Sequence, residues 1–150
     1  MDKEAIADIL GEIALLLSLK GENPFKIRAY ERGAEALRAL DEDLGAVIAA
    51  GGLREIEGIG EALAEKIQTL FSGGRVRLYD ELKAEIPAGL VDLLRVPGLG
   101  PARVRALHEA LGIDSIAALQ AACLDGRVAA VKGFGAKIAQ SLLRAIERAR

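Results

Sequence analysis

Lys66 is the residue of this chain best placed to form a covalent bond. It lies in the helical run Glu61 to Phe71, at the margin of an apolar stripe made by Leu63, Ile67 and Leu70. Its neighbours three and four positions away, Ala62, Leu63, Thr69 and Leu70, are all uncharged. An amine set against apolar surface loses hydration, and a less hydrated amine is what a Schiff-base nucleophile needs. The competing account is a lysine that runs its stem along a helix edge and keeps its ammonium in water. Spacing alone leaves both accounts open.

Immediately before this helix stands Ile56-Glu57-Gly58-Ile59-Gly60. The same grammar returns as Val96-Pro97-Gly98-Leu99-Gly100 before Pro101 to Leu111, and as Val131-Lys132-Gly133-Phe134-Gly135 before Ala136 to Arg150. Paired glycines permit a tight turn and leave its amides uncovered. The helix that follows aims its unpaired N–H groups and positive dipole end at the turn. Such a corner suits a phosphate oxygen. A single copy is more readily a plain connection between packed helices; three copies with matched flanks point to phosphate binding at Gly58, Gly60, Gly98, Gly100, Gly133 and Gly135.

Around these turns, Arg103 and Arg105 follow the second and Lys137 and Arg144 the third, within reach of a bound phosphate. The first is followed by Glu61 and Glu65, which suit phosphate less. Lys26 and Tyr30 are four apart and share a helix face, although Tyr30 also fits the apolar line of its helix and reads as a core residue with its hydroxyl at the rim. Arg28 and Arg32 read as solvated. His108 is the only histidine, lies between Val104 and Leu111 on an apolar face, and reads as packing. Cys123 is expected to be buried. Asp41, Glu42 and Asp43 are consecutive, so they point in different directions, and helix capping accounts for them better than a metal site.

The elements that must carry these residues are helical. The chain has 150 residues, 51% hydrophobic but only 3% aromatic, so its core is built from Leu, Ile, Val and Ala, and no period-two pattern marks a strand. Asp2 caps a helix from Lys3 to about Leu19, Asn23-Pro24 opens a second to about Leu40, and Asp41 to Asp43 precede a third that stops at Gly51-Gly52. Arg75 to Glu85 continues as a helix with Val76, Tyr79 and Leu82 on one side. Ile86-Pro87 is the best boundary, giving two small subdomains, 1–86 and 87–150. Leu90 to Leu94 leads into the second turn, Gly112 ends the helix after it, and Asp114-Ser115 caps a short helix to about Ala122. A single cysteine excludes an internal disulfide framework and fits a reducing setting. No apolar run reaches the roughly 18 residues of a membrane span. With 20 basic and 22 acidic residues the net charge is −2, which weighs against a bulk electrostatic grip on nucleic acid and leaves only local contact at a few phosphates.

Three stretches carry a family resemblance: Asn23-Pro24-Phe25-Lys26-Ile27-Arg28-Ala29-Tyr30, then Ile56 to Ile67, then Val96 to Gly100, with Leu111 to Ser115 following in order. Together they resemble the amino-terminal region of family X DNA polymerases in their bacterial form. Helix-hairpin-helix turns occur in many DNA-repair proteins; their combination with the Asn-Pro-Phe helix is more specific. The resemblance implies a lyase-type domain over 1–86 and a fingers-like subdomain from 87. It implies Na+ or K+ held by backbone carbonyls of Arg54, Ile56 and Ile59, and of Leu94, Val96 and Leu99. It places Lys66 where lyase-active relatives carry their Schiff-base lysine, with Lys26 and Tyr30 in support. Two departures weaken lyase activity: Ala62 stands where those relatives have a lysine, and Glu31 where a basic residue would help. The family's palm, with its metal-binding aspartates, and a carboxy-terminal phosphoesterase domain would lie beyond Arg150, so this stretch is not expected to polymerise DNA by itself.

The reading is therefore an all-α helix-hairpin-helix region, monomeric or part of a longer polymerase chain, cytoplasmic and nucleoid-associated, that recognises gapped, nicked or 5′-phosphorylated DNA. No other cofactor and no membrane are expected. The alternatives are a 5′-deoxyribose phosphate lyase acting through Lys66, and a helical protein-interaction module that has lost DNA.

Overall fold

Capping residues set most of the helix boundaries. In the computed structural model, which describes residues 1–149, α1 spans Lys3–Lys20, its first turn held by the Asp2 carboxylate, which accepts from the Ala5 amide at 2.8 Å. Asn23 Oδ1 accepts from the Phe25 amide at 2.8 Å, and with Pro24 in the first turn α2 runs Pro24–Ala39. Asp43, the last of the three consecutive acids, accepts from the Ala46 amide at 3.0 Å and starts α3, Leu44–Ala49. A single 3-10 turn, Leu53–Glu55, leads to the first glycine turn and α4, Glu61–Phe71. The next helix, α5, is Arg77–Glu85 rather than Arg75 to Glu85: the Gly74 amide closes back on the Thr69 carbonyl, and Arg75 stays outside to pair with Asp80 at 3.0 Å.

Beyond Ile86-Pro87 come α6, Ala88–Leu93, and α7, Pro101–Leu111, which stops where Gly112 takes a φ of 67°. Ser115 Oγ accepts from the Ala118 amide at 3.0 Å and caps α8, Ile116–Leu124. The short α9, Arg127–Ala130, and α10, Gly135–Arg148, complete the order. The described residues form ten α-helices and no strand, the all-α architecture expected of the composition.

Residue contacts part the chain into two compact units: one of Met1–Ser18 and Glu22–Glu85, the other from Ile86 on together with Leu19–Gly21. In the first, Ile6, Leu10, Ile13, Leu37, Ile67 and Leu82 are fully buried, a core contributed by α1, α2, α4 and α5. Burying one such side chain is worth roughly 1.5–3 kcal/mol. Gly33 lets α2 approach α4 closely: a Cβ there would meet Leu63 Cδ2 at 2.7 Å. The Tyr79 hydroxyl donates to the Glu12 carboxylate and ties α5 to α1. In the second unit Leu93, Val104, Leu107, Ile113, Leu119 and Leu142 are fully buried. There Gly89 is required by close approach, since a Cβ would fall 1.7 Å from the Asp114 carbonyl oxygen. No charged or polar side chain is buried among the described residues.

Candidate nucleic-acid interface

The three glycine turns are built by one hydrogen-bond scheme. The apolar residue that opens each turn donates its amide three residues back: Ile56 to Leu53 at 3.2 Å, Val96 to Leu93 at 3.1 Å, and Val131 to Val128 at 3.1 Å. Its carbonyl then accepts from the amide three residues on, from Ile59 at 3.1 Å, Leu99 at 3.1 Å and Phe134 at 3.0 Å. The first glycine of each pair takes a positive φ: 96° at Gly58, 94° at Gly98 and 89° at Gly133. The apolar residue between the glycines is driven into the core, with Ile59, Leu99 and Phe134 all buried, so the turn is anchored while both its glycines stay exposed.

The entry into the following helix differs between copies. Gly60 and Gly100 are extended N-caps, at φ −84°, ψ −178° and φ −102°, ψ 176°, with no side chain covering the amides of the first turn. Gly135 is instead the first residue of α10 at φ 71°, behind Phe134 as N-cap. The third turn thus repeats the loop but not the helix entry.

The other expected site residues fall as follows. Arg103 is exposed and bends back over its own turn, Nη1 donating to the Gly98 carbonyl at 2.8 Å. Arg105 is half-buried and engaged, while Lys137 is exposed on the first turn of α10. Arg54 pairs with Glu61, the first residue of α4, at 3.4 Å. Tyr30 is buried, and the Lys66 amine lies over its ring at 6.0 Å from the centroid. These two are thereby brought together from α2 and α4. Lys26 is exposed on the first turn of α2, and no hydrogen bond or ion pair among the described residues joins it to Lys66. His108 is half-buried and its Nδ1 donates to the Ile113 carbonyl at 3.2 Å, closing the end of α7. Cys123 is half-buried rather than fully buried. Burial first, and then the charge of Asp125, push its thiol above the usual range and leave it a poor nucleophile.

Among the described residues no group of three His, Cys, Asp or Glu gathers to hold a metal. The carbonyl sets are a different kind of donor. Ile56 and Val96 each accept one turn amide, and a carbonyl oxygen has a second lone pair to offer. Neutral carbonyls suit a monovalent cation, and the carbonyls of Ile56 and Val96 each keep an acceptor position of that kind.

Charge is what composition concealed. Residues 1–85 hold seventeen acidic and eleven basic side chains, a net −6; residues 86–150 hold five and nine, a net +4. The first turn is flanked in sequence by Glu55, Glu57, Glu61 and Glu65, all exposed, and by Arg54, which pairs with Glu61 at 3.4 Å, while the Arg32 carbonyl of α2 stands 3.5 Å from where a Gly58 Cβ would be. The second turn carries Arg95, Arg103 and Arg105, with no carboxylate between Asp92 and Glu109. The third carries Lys132 and Lys137, with none between Asp125 and Glu147. Asp125 is occupied locally: the Arg127 amide and guanidinium bind its carboxylate and hold it below the usual range.

These turns define the class. Residues 1–76 match the helix-hairpin-helix domain family and residues 90–148 match the SAM-like helix-hairpin-helix tandem family. The chain belongs to the helix-hairpin-helix domain family. It is 34% identical over 149 residues to the DNA polymerase/3′-5′ exonuclease PolX of Bacillus subtilis (strain 168), an alignment that covers 99% of this chain and 26% of that protein. It is homologous to the amino-terminal helix-hairpin-helix region of bacterial PolX, and spans about a quarter of that relative's length. Among the described residues no helix is long and apolar enough to cross a membrane.

Proposed function

We propose that this chain is the DNA-binding region of a family X-type repair polymerase, and that it recognises gapped, nicked or 5′-phosphorylated DNA through phosphate contacts without reading bases. The observation that carries this is the repeated turn: an exposed Gly-apolar-Gly, anchored by a buried side chain and followed by uncapped helix amides at Gly60 and Gly100. Backbone donors there hold phosphate oxygens by geometry, and base edges have no partner in the scheme. Na+ or K+ at the carbonyl sets would supply a positive charge that bridges to phosphate. The 1–86 and 87–150 parts correspond on this reading to a lyase-type domain and a fingers-like subdomain, as the resemblance to family X implies.

The test is fluorescence anisotropy with short duplexes, intact, nicked and gapped, over a salt series. The expected result is tighter binding to the interrupted duplexes, weakening as salt rises. Failure to bind any of them at low salt overturns the proposal and favours a protein-interaction module.

A second reading is supported by the placement of Lys66 over Tyr30 at 6.0 Å. Lys66 Nζ would attack the C1′ aldehyde of a 5′-deoxyribose phosphate, and loss of water would give the imine. Removal of a C2′ proton would then break the C3′–O bond, the departing group being the 5′-phosphate of the downstream strand. Tyr30 would position the amine. Borohydride should then trap a covalent adduct with the wild type and none with Lys66→Ala; DNA binding without an adduct in the wild type would end this reading.

A further inference from the structure

We infer that a cleft in the second unit docks a segment of a partner protein in which an apolar side chain stands beside carboxylates. The inference does not rest on the DNA-binding reading. The cleft has a volume of about 270 Å³ and is lined by Val96 and Pro97 of the second turn, Ile116 at the start of α8, and Ala145, Ile146 and Ala149 on one face of α10. Ile116 is 36% exposed. A lone exposed isoleucine is ordinary, but this one borders an apolar hollow with room for a further side chain. Such a hollow is where an interface seats its anchor.

Charge decides the occupant. Among the described residues the one charged side chain lining the cleft is Arg95. It is 80% exposed, and Asp92 stands 3.9 Å away, at the outer limit of an ion pair, so its guanidinium has donors to offer an incoming carboxylate. Glu147 of α10 lines a different cleft, with Ser141, Arg144 and Arg148. The stretch 86–150, at net +4, attracts an acidic segment from further away. The apolar anchor then supplies affinity, and the pairing with Arg95 fixes its orientation and rejects basic segments. A second copy of this chain fits less well. Its most exposed aromatic residue, Phe25, 86% exposed, is accompanied by Lys26 and Arg28, which Arg95 repels. Leu124 is exposed beside Asp125, but that carboxylate is already bound by Arg127 at 2.8 Å.

The experiment uses the whole chain and fluorescence anisotropy with a short labelled peptide whose one phenylalanine is flanked by aspartates. Two further peptides separate the contributions, one with serine for the phenylalanine and one with lysines for the aspartates. The wild type is expected to bind the first peptide roughly tenfold more tightly than either of the others. Ile116→Asp is expected to weaken that binding roughly tenfold and Arg95→Gln about fivefold. Arg77→Gln, which removes an equal charge from the first unit, is expected to stay within about twofold. Circular dichroism checks that each variant folds. No wild-type binding, equal affinity for the aspartate and lysine peptides, or unchanged binding in Ile116→Asp or Arg95→Gln would overturn the inference and leave the DNA-binding reading untouched. Sedimentation velocity tests the other occupant: wild-type self-association that disappears in Ile116→Asp would give the cleft to a second copy and overturn the partner segment.

Discussion

A phenol that donates to a carboxylate is costly to ionise. The Tyr79 hydroxyl is pushed up from its ordinary 10 to about 12, by burial first, then by its hydrogen bond to Glu12 and the charges of Glu12 and Asp80. The raised value belongs to the folded state, so the neutral phenol favours folding. That contribution is complete below pH 10, the ordinary value, and disappears as pH rises through 10 to 12. Ultraviolet titration of the folded protein should find the Tyr79 ionisation displaced to that window, and Tyr79→Phe should remove it and flatten the loss of stability there. A Tyr79 ionisation near 10 would contradict the contact. The helical spacing of Val76, Tyr79 and Leu82 showed which way this residue faces, but Glu12 is 67 positions away and nothing local reveals it. Tyr30 and Lys66 are alike in this: each was legible on its own helix, and their approach is a product of packing α2 against α4.

At the scale of elements, the turns make a pattern of substitution costs that sequence spacing would assign equally. Gly58→Ala and Gly98→Ala force a side chain into φ near 96° and 94° and should cost about 1–2 kcal/mol each in urea denaturation. Gly60→Ala should cost less than about 1 kcal/mol, because Gly60 is extended and nothing stands within 4 Å of the new Cβ. Gly135→Ala, at the matching position of the third copy, should behave like Gly58 because its φ is 71°. Equal costs at Gly60 and Gly135 would refute the difference in helix entry. Helix caps were legible because they are local: Asn23, Asp43, Ser115 and Gly112 act on amides and carbonyls a few residues away. The helix entry was less so. Pro101 favours extended backbone at Gly100, but Gly60 is just as extended before Glu61, so the residue after the pair does not explain why Gly135 alone takes a positive φ. Gly89 was not legible at all, since its need for a bare Cα comes from the Asp114 carbonyl across the unit.

For the whole molecule, the all-α class and the helix-hairpin-helix grammar were legible because both repeat, and repetition survives uncertainty about any one copy. The electrostatics were not, because a net charge is an average. A value of −2 argues against nucleic acid only if the charge is spread evenly, and here it is the remainder of −6 and +4. The salt dependence expected on DNA is accordingly that of a small basic surface, not of an acidic protein. The same segregation reaches into ordinary handling at the bench. An isoelectric point near 5.5 describes neither half of this chain. At neutral pH a sulfonate resin and a quaternary-amine resin would each find a stretch of opposite sign to retain, and elution order would report the local patch rather than the protein's total charge.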